Sequence, residues 1–170
     1  MKPIIFALTL LLPLVWTEPI FAETSPRQHR QDLTCQNSIL LAQNPALTLG
    51  EAADLVSEWL TAKSRIFAPP FDRRTLEQFT TGVLYRDTLK AIDFLIENDA
   101  YYEYGVQKVE TVERFAASGN KATIEVRVTE DTTFYQNGQV KDSDFNTKRV
   151  RYKLEYWDGI WKIADFQVVD

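Results

Sequence analysis

The sequence predicts an α+β fold in which N-terminal helices pack on a curved four-stranded antiparallel sheet. Two observations predict it. Apolar residues recur at three- and four-residue intervals from Leu49 to Ile96, the period of helices, and at every second position from about Tyr102 onward, the period of strands. The change happens once, near Ala100, so helices and strands are segregated along the chain, which is an α+β order.

The stretch before these periods is of another kind. Lys2 precedes an apolar run from Ile4 to Trp16, shorter than the roughly 20 residues that a membrane-crossing helix needs, and Ala22 supplies the small residue of a cleavage site. Residues 1–22 are therefore expected to be a secretory signal peptide, cleaved after Ala22. Residues 23–46 form a polar arm rich in Gln, Asn, Ser and Arg with no sustained period. Cys35 lies in this arm. The charged spacer from Glu23 to Asp32 argues against lipidation of Cys35, which leaves a free thiol or a bond between chains.

The folded part, residues 47–170, opens on Thr48-Leu49-Gly50-Glu51, a capping box that exchanges hydrogen bonds between the Thr and Glu side chains and the exposed backbone N–H groups. A first helix carries Leu49, Ala52, Ala53, Val56, Trp59, Leu60, Lys63 and Ile66 on one stripe, and Ala68-Pro69-Pro70 ends it. Asp72 caps a second helix from Arg73 to about Thr81. The third places Leu84, Thr88, Leu89, Ile92, Leu95 and Ile96 on one face and stops at Asn98-Asp99.

Tyr102, Tyr104 and Val106 begin the first strand, whose phase blurs around Lys108-Val109 and so predicts a bulge. Ala122, Ile124, Val126 and Val128 alternate with Thr123, Glu125, Arg127 and Thr129, which predicts one buried and one wet face. Asn137-Gly138 is a hairpin signal, with the polar run Lys141–Asn146 expected to lengthen the loop. Val150, Tyr152, Leu154 and Tyr156 make the third strand. Asp158-Gly159 turns the chain into a fourth, Ile160–Val169, where Asp165 breaks the alternation and predicts a second bulge. Long strands twist and curl. Curled around a helix they form a cone with an open end, the nuclear-transport-factor-like or cystatin-like roll.

Composition narrows the functions. The 170 residues carry 19 Lys and Arg against 24 Asp and Glu, a net charge of -5, with one Cys and one His. An acidic chain without clustered cations is a poor polyanion binder, so nucleic acid is not an expected partner. His29 and Cys35 both fall in the arm, which leaves the folded part without a Cys/His metal cluster or a His-dependent nucleophile. Glu130-Asp131 and Asp142-Ser143-Asp144 lack the rest of a calcium loop and read as solvated turn charges. No metal or cofactor is expected.

A cone can still hold acid–base chemistry of the isomerase or dehydratase type, with a carboxyl base and a Tyr oxyanion donor drawn from Asp165, Asp131, Glu130, Tyr102, Tyr104 and Tyr152. Aromatic packing of Tyr102, Tyr104, Tyr152, Tyr156 and Trp161 against a helix explains the same residues more simply. Trp59 fits core packing in its stripe. Lys63, one turn later, fits a cation snorkelling over an aromatic rim.

The residues Ala52–Lys63, Leu76, Gly82-Val83-Leu84, Tyr101-Tyr102-Glu103-Tyr104, Lys121–Val126, Glu130, Arg151-Tyr152-Lys153-Leu154 and Gly159-Ile160-Trp161-Lys162-Ile163, at their spacing, resemble the intermembrane-space domain of the chloroplast and cyanobacterial division proteins of the accumulation-and-replication-of-chloroplasts family. The likeness runs from about Leu47 to Val169. It implies a non-enzymatic module that binds the tail of a partner division protein across the membrane from the division ring. The sequence shows no J-like region, helical repeats or retained span, so the link from ring to envelope is not expected of it. The combined reading is an exported binding domain of the periplasm or thylakoid lumen of a cyanobacterium, not integral to the membrane after cleavage. It captures a peptide tail of an envelope or division protein, or a small apolar ligand, through Trp59, Lys63, Tyr102, Tyr104 and Tyr152. Two alternatives stand beside it: the isomerase or dehydratase enzyme, and a self-associating module forming a homodimer.

Overall fold

A computed structural model of the protein describes residues 46–169, and the signal peptide, most of the polar arm, His29 and Cys35 lie outside the described residues. Three helices, α1 (Leu49–Ile66), α2 (Arg73–Phe79) and α3 (Gly82–Glu97), precede four strands, β1 (Ala100–Ser118), β2 (Lys121–Gln136), β3 (Gln139–Trp157) and β4 (Ile160–Val168). The strands form one antiparallel sheet in the order β1-β2-β3-β4.

The first two helices start at a side-chain cap, Thr48 for α1 and Asp72 for α2. The Glu51 amide donates to Thr48 Oγ1 at 3.3 Å while Glu51 Oε2 accepts from the Thr48 amide at 2.8 Å, the reciprocal bonds that the sequence predicts. The stripe that follows buries Ala52, Val56, Trp59, Leu60, Ala62 and Ile66. Asp72 caps α2, which ends at Phe79 instead of Thr81. Thr80 bridges to Ile163, and the Thr81 amide donates to the Ile163 carbonyl at 2.9 Å, so β4 draws the chain out of the helix. Gly82, at φ 59°, turns directly into α3. Ile96 leaves the expected α3 stripe and is exposed, one position beyond the buried Leu95.

The alternation in β2 sets the core. Ala122, Ile124, Val126 and Val128 face the helices together with Val150, Tyr152 and Leu154 of β3 and Ile163 of β4. Fully burying each of the larger aliphatic side chains contributes roughly 1.5–3 kcal/mol. The opposite face of β2 is not uniformly wet as expected, because Glu125 is buried beneath the guanidinium of Arg151.

Irregularities fall close to where the period blurs. β1 slips against β2 three times, between Tyr104 and Gln107, between Val109 and Thr111, and between Val112 and Arg114. At the first slip Gly105 and Val106 oppose Asp131 alone; Val106 turns outward, against expectation, and Gln107 turns inward. The predicted bulge in β4 is present, since Asp165 pairs with Lys153 but Ile163 pairs with Leu154. Asn137 and Gly138, at φ 53° and 70°, close a two-residue hairpin, so the expected longer loop is absent. Lys141–Asn146 instead continues β3, which places Asp142 and Asp144 on a strand and not in a turn.

Candidate functional site

Two periodic patterns converge on one buried ion pair. Glu130 lies two positions after Val128 and therefore on the helix-facing side of β2, and Lys63 lies one turn after Trp59 on the buried stripe of α1. Their side chains meet with Lys63 Nζ 2.5 Å from Glu130 Oε1, at side-chain exposures of 16% and 8%. Lys148, two positions before Val150 on β3, brings its Nζ to 3.2 Å from the other carboxylate oxygen. Glu130 is thus no solvated turn charge, and Lys63 turns inward where the sequence suggested a snorkelling cation.

The electrostatics follow from burial and these partners. Desolvation alone would raise the Glu130 carboxyl, but the charges and hydrogen bonds of Lys63 and Lys148 outweigh it and hold the group below the usual carboxylate range. Burial lowers the Lys63 ammonium, and attraction to Glu130 only partly offsets this. Tyr104 and Tyr152 are pushed far up, first by burial and then by the Glu130 charge, so both stay protonated at any physiological pH. The cross-strand neighbours of Glu130 are Gln107 on β1 and Asn146 on β3. Buried Gln107 Nε2 and Asn146 Oδ1 have no hydrogen-bond partner among the described residues.

An aromatic rim adjoins this polar layer. Phe67, just past α1, accepts a backbone hydrogen bond from Tyr102 at 2.9 Å, and its ring lies 6.4 Å from that of Tyr102 and 6.3 Å from that of Tyr104. Phe134 completes the cluster, 5.0 Å from Tyr102. All four rings are partly exposed. Trp59 and Tyr152 are not part of the accessible rim: at 2% and 3% exposure they are core residues.

The remaining acid–base candidates sit elsewhere. Asp165 faces the far side of the sheet and pairs with Lys153 at 2.8 Å. Asp131 packs over Gly105, also on that side. Of the candidates, Tyr104 and Tyr152 feel the charge of Glu130, and Tyr102 packs beside Tyr104, but a carboxylate held ionised by two ammonium groups is a weak proton acceptor near neutrality. Sequence reasoning passed over Lys148, Gln107, Asn146, Phe67 and Phe134. The parity of Lys148 with Val150, and of Phe134 with Val128, carried a signal, whereas the slip at Gly105 hid that of Gln107.

Among the described residues no group of three or more His, Cys, Asp or Glu could hold a metal ion, and no helix is long and apolar enough to cross a membrane. Fold and site together define a domain of three helices on an open antiparallel sheet, with an ionic layer where helix meets sheet and an aromatic rim beside it. The chain belongs to the ARC6-like IMS domain family, whose model matches residues 52–164. The solved intermembrane space region of the chloroplast protein ARC6 has the same fold, with a TM-score of 0.67 at 22% identity over 74% of this chain and 98% of that one. No curated protein matches the sequence significantly.

Proposed function

We propose that the chain is an exported, non-enzymatic binding module of this family, delivered by a signal peptide cleaved after Ala22, which captures a segment of a partner protein at the aromatic rim. The observation that carries the reading is the pairing of a partly exposed cluster, Phe67, Tyr102, Tyr104 and Phe134, with a carboxylate already neutralised by Lys63 and Lys148. Aromatic rings with polar tips offer contact area at small entropic cost, which suits recognition of a peptide. The tied carboxylate weighs against the isomerase or dehydratase alternative. Membership in a family named for an intermembrane-space domain supports placement outside the cytoplasm and, as the solved relative is a region of a chloroplast protein, a plastid or cyanobacterial setting with an envelope or division protein as partner.

Affinity capture from the native exported fraction tests this, with the wild-type chain and the Tyr102→Ala variant as parallel baits. An envelope protein recovered by the first and lost by the second is expected. Recovery of none, or equal recovery by both, overturns the reading.

A further inference from the structure

The face of the sheet turned away from the helices carries a second feature that the rim does not use. Two rows of side chains cross it. Arg114, Glu125, Arg151 and Gln167 stand opposite one another across the four strands, and in the next row Arg127 on β2 is paired directly with Arg149 on β3. Like charges placed directly across a strand pair destabilise it. Here one carboxylate serves both: Glu113, on a β1 bulge, lies 2.9 Å from Arg127 and 3.5 Å from Arg149. Glu125 is likewise shared, held by Arg151 at 2.7 Å, while Arg114 stands off at 3.9 Å with its side chain 76% exposed.

Four guanidiniums against two carboxylates leave these two rows locally positive on a chain whose net charge is -5, although Asp131 and Asp165 stand elsewhere on the same face. Each guanidinium has five N–H donors, and few are used. The rows border a hollow of about 380 Å³ lined by Arg114, Glu125, Arg149, Arg151 and Gln167, and Arg149 joins it to a second of about 260 Å³ that reaches Arg127 and Thr147. β4 ends here, so the edge of β3 from Lys148 back to Gln139 is free of a β4 neighbour.

We propose that this face is a docking surface for an acidic, extended protein segment, whose carboxylates meet the N–H groups of Arg127 and Arg149 that Glu113 leaves open and lie beside Arg114. Charge complementarity selects such a partner: carboxylates spaced along a strand match guanidiniums spaced across two rows. Nucleic acid fits poorly, because its unbroken phosphate charge would run past these two short rows onto the acidic remainder of the chain, whereas a short segment need not.

The test is fluorescence anisotropy with a labelled peptide of alternating Ser and Glu, titrated with the purified chain at low and high salt. The expected result is binding that weakens with salt and falls about tenfold in Arg127→Gln/Arg149→Gln. Arg114→Gln, an exposed change that spares the fold, lowers it about threefold, and Lys90→Gln on α3 leaves it unchanged. Tyr102→Ala also leaves it unchanged, so this result and that of the rim are separate. Absence of binding, equal loss with Lys90→Gln, competition by inorganic phosphate at peptide concentrations, or flotation with anionic vesicles that needs Arg127 and Arg149 overturns the proposal.

Discussion

Lys63 and Glu130, 67 residues apart in sequence, join α1 to β2 through a contact of 2.5 Å in the partly buried interior. The pair ties the helix to the sheet beyond the last aliphatic contacts of β2. Lys148 and the hydroxyls of Tyr104 and Tyr152 share the field of the same carboxylate.

Removing one member of a buried pair leaves the other charged and unpartnered, which costs far more than removing both. Glu130→Gln should lower unfolding stability by about 3 kcal/mol, whereas Lys63→Met/Glu130→Leu should lie within about 1 kcal/mol of wild type. Urea titrations followed by Trp fluorescence read both. Equal losses for the single and the double variant would show that the contact is incidental.

The same pair gives the acid limb of stability a specific owner. The folded-state Glu130 carboxyl lies below its reference value of 4.5, so between the two values the unfolded chain holds a proton that the folded chain does not. Stability contributed by Glu130 is complete above about pH 4.5 and is lost as pH falls through the folded value. Glu125, lowered by its hydrogen bond from Arg151, acts in the same direction. Lys63 acts at the other end: its folded value lies below 10.5, so its contribution improves as pH rises toward 10.5. Melting curves from pH 3 to pH 7 should show a shallower acid limb in Glu130→Gln than in wild type, and parallel limbs would refute the assignment.

Gly105 makes a separate claim. A Cβ at this position would lie 2.3 Å from Asp131 Oδ2 and 2.9 Å from Asp131 Cγ, because the bulge leaves both chains crowded on one side. Gly105→Ala should destabilise by about 1–3 kcal/mol, and Gly105→Ala/Asp131→Ala should recover most of the loss. Failure of the second change to rescue the first would place the strain in the backbone instead.

The cap of α1 is the most local prediction. Thr48→Ala removes the oxygen that accepts from the Glu51 amide, with an expected cost of about 1 kcal/mol in thermal or urea unfolding. An unchanged midpoint would mean that packing alone fixes the start of the helix.

Most of the fold was legible because helix and strand periods are properties of neighbouring residues. The capping box at Thr48, the alternation from Ala122 to Val128 and the bulge near Asp165 are all local signals, and each has its counterpart in the structure. The α2 terminus was not legible, since Thr80 leaves the helix for a partner more than 80 residues away at Ile163. Polar Lys141–Asn146 has the local character of a loop, and strand pairing with β2, which no local property announces, holds it in β3. Glu130 was within reach: extending the buried parity of β2 by one step places it inside. What the sequence withheld was its counter-charge, because meeting Lys63 and Lys148 depends on how α1 crosses the sheet.

The central claim is that Glu130 is a structural carboxylate locked between two lysines beside a binding rim, not a base that cycles protons. The most direct measurement is the side-chain carboxyl ¹³C shift of Glu130 followed by NMR across pH, assigned by comparison with Glu130→Gln. A titration midpoint below the ordinary glutamate range is expected. A midpoint near neutrality would contradict the account and return the site to acid–base chemistry.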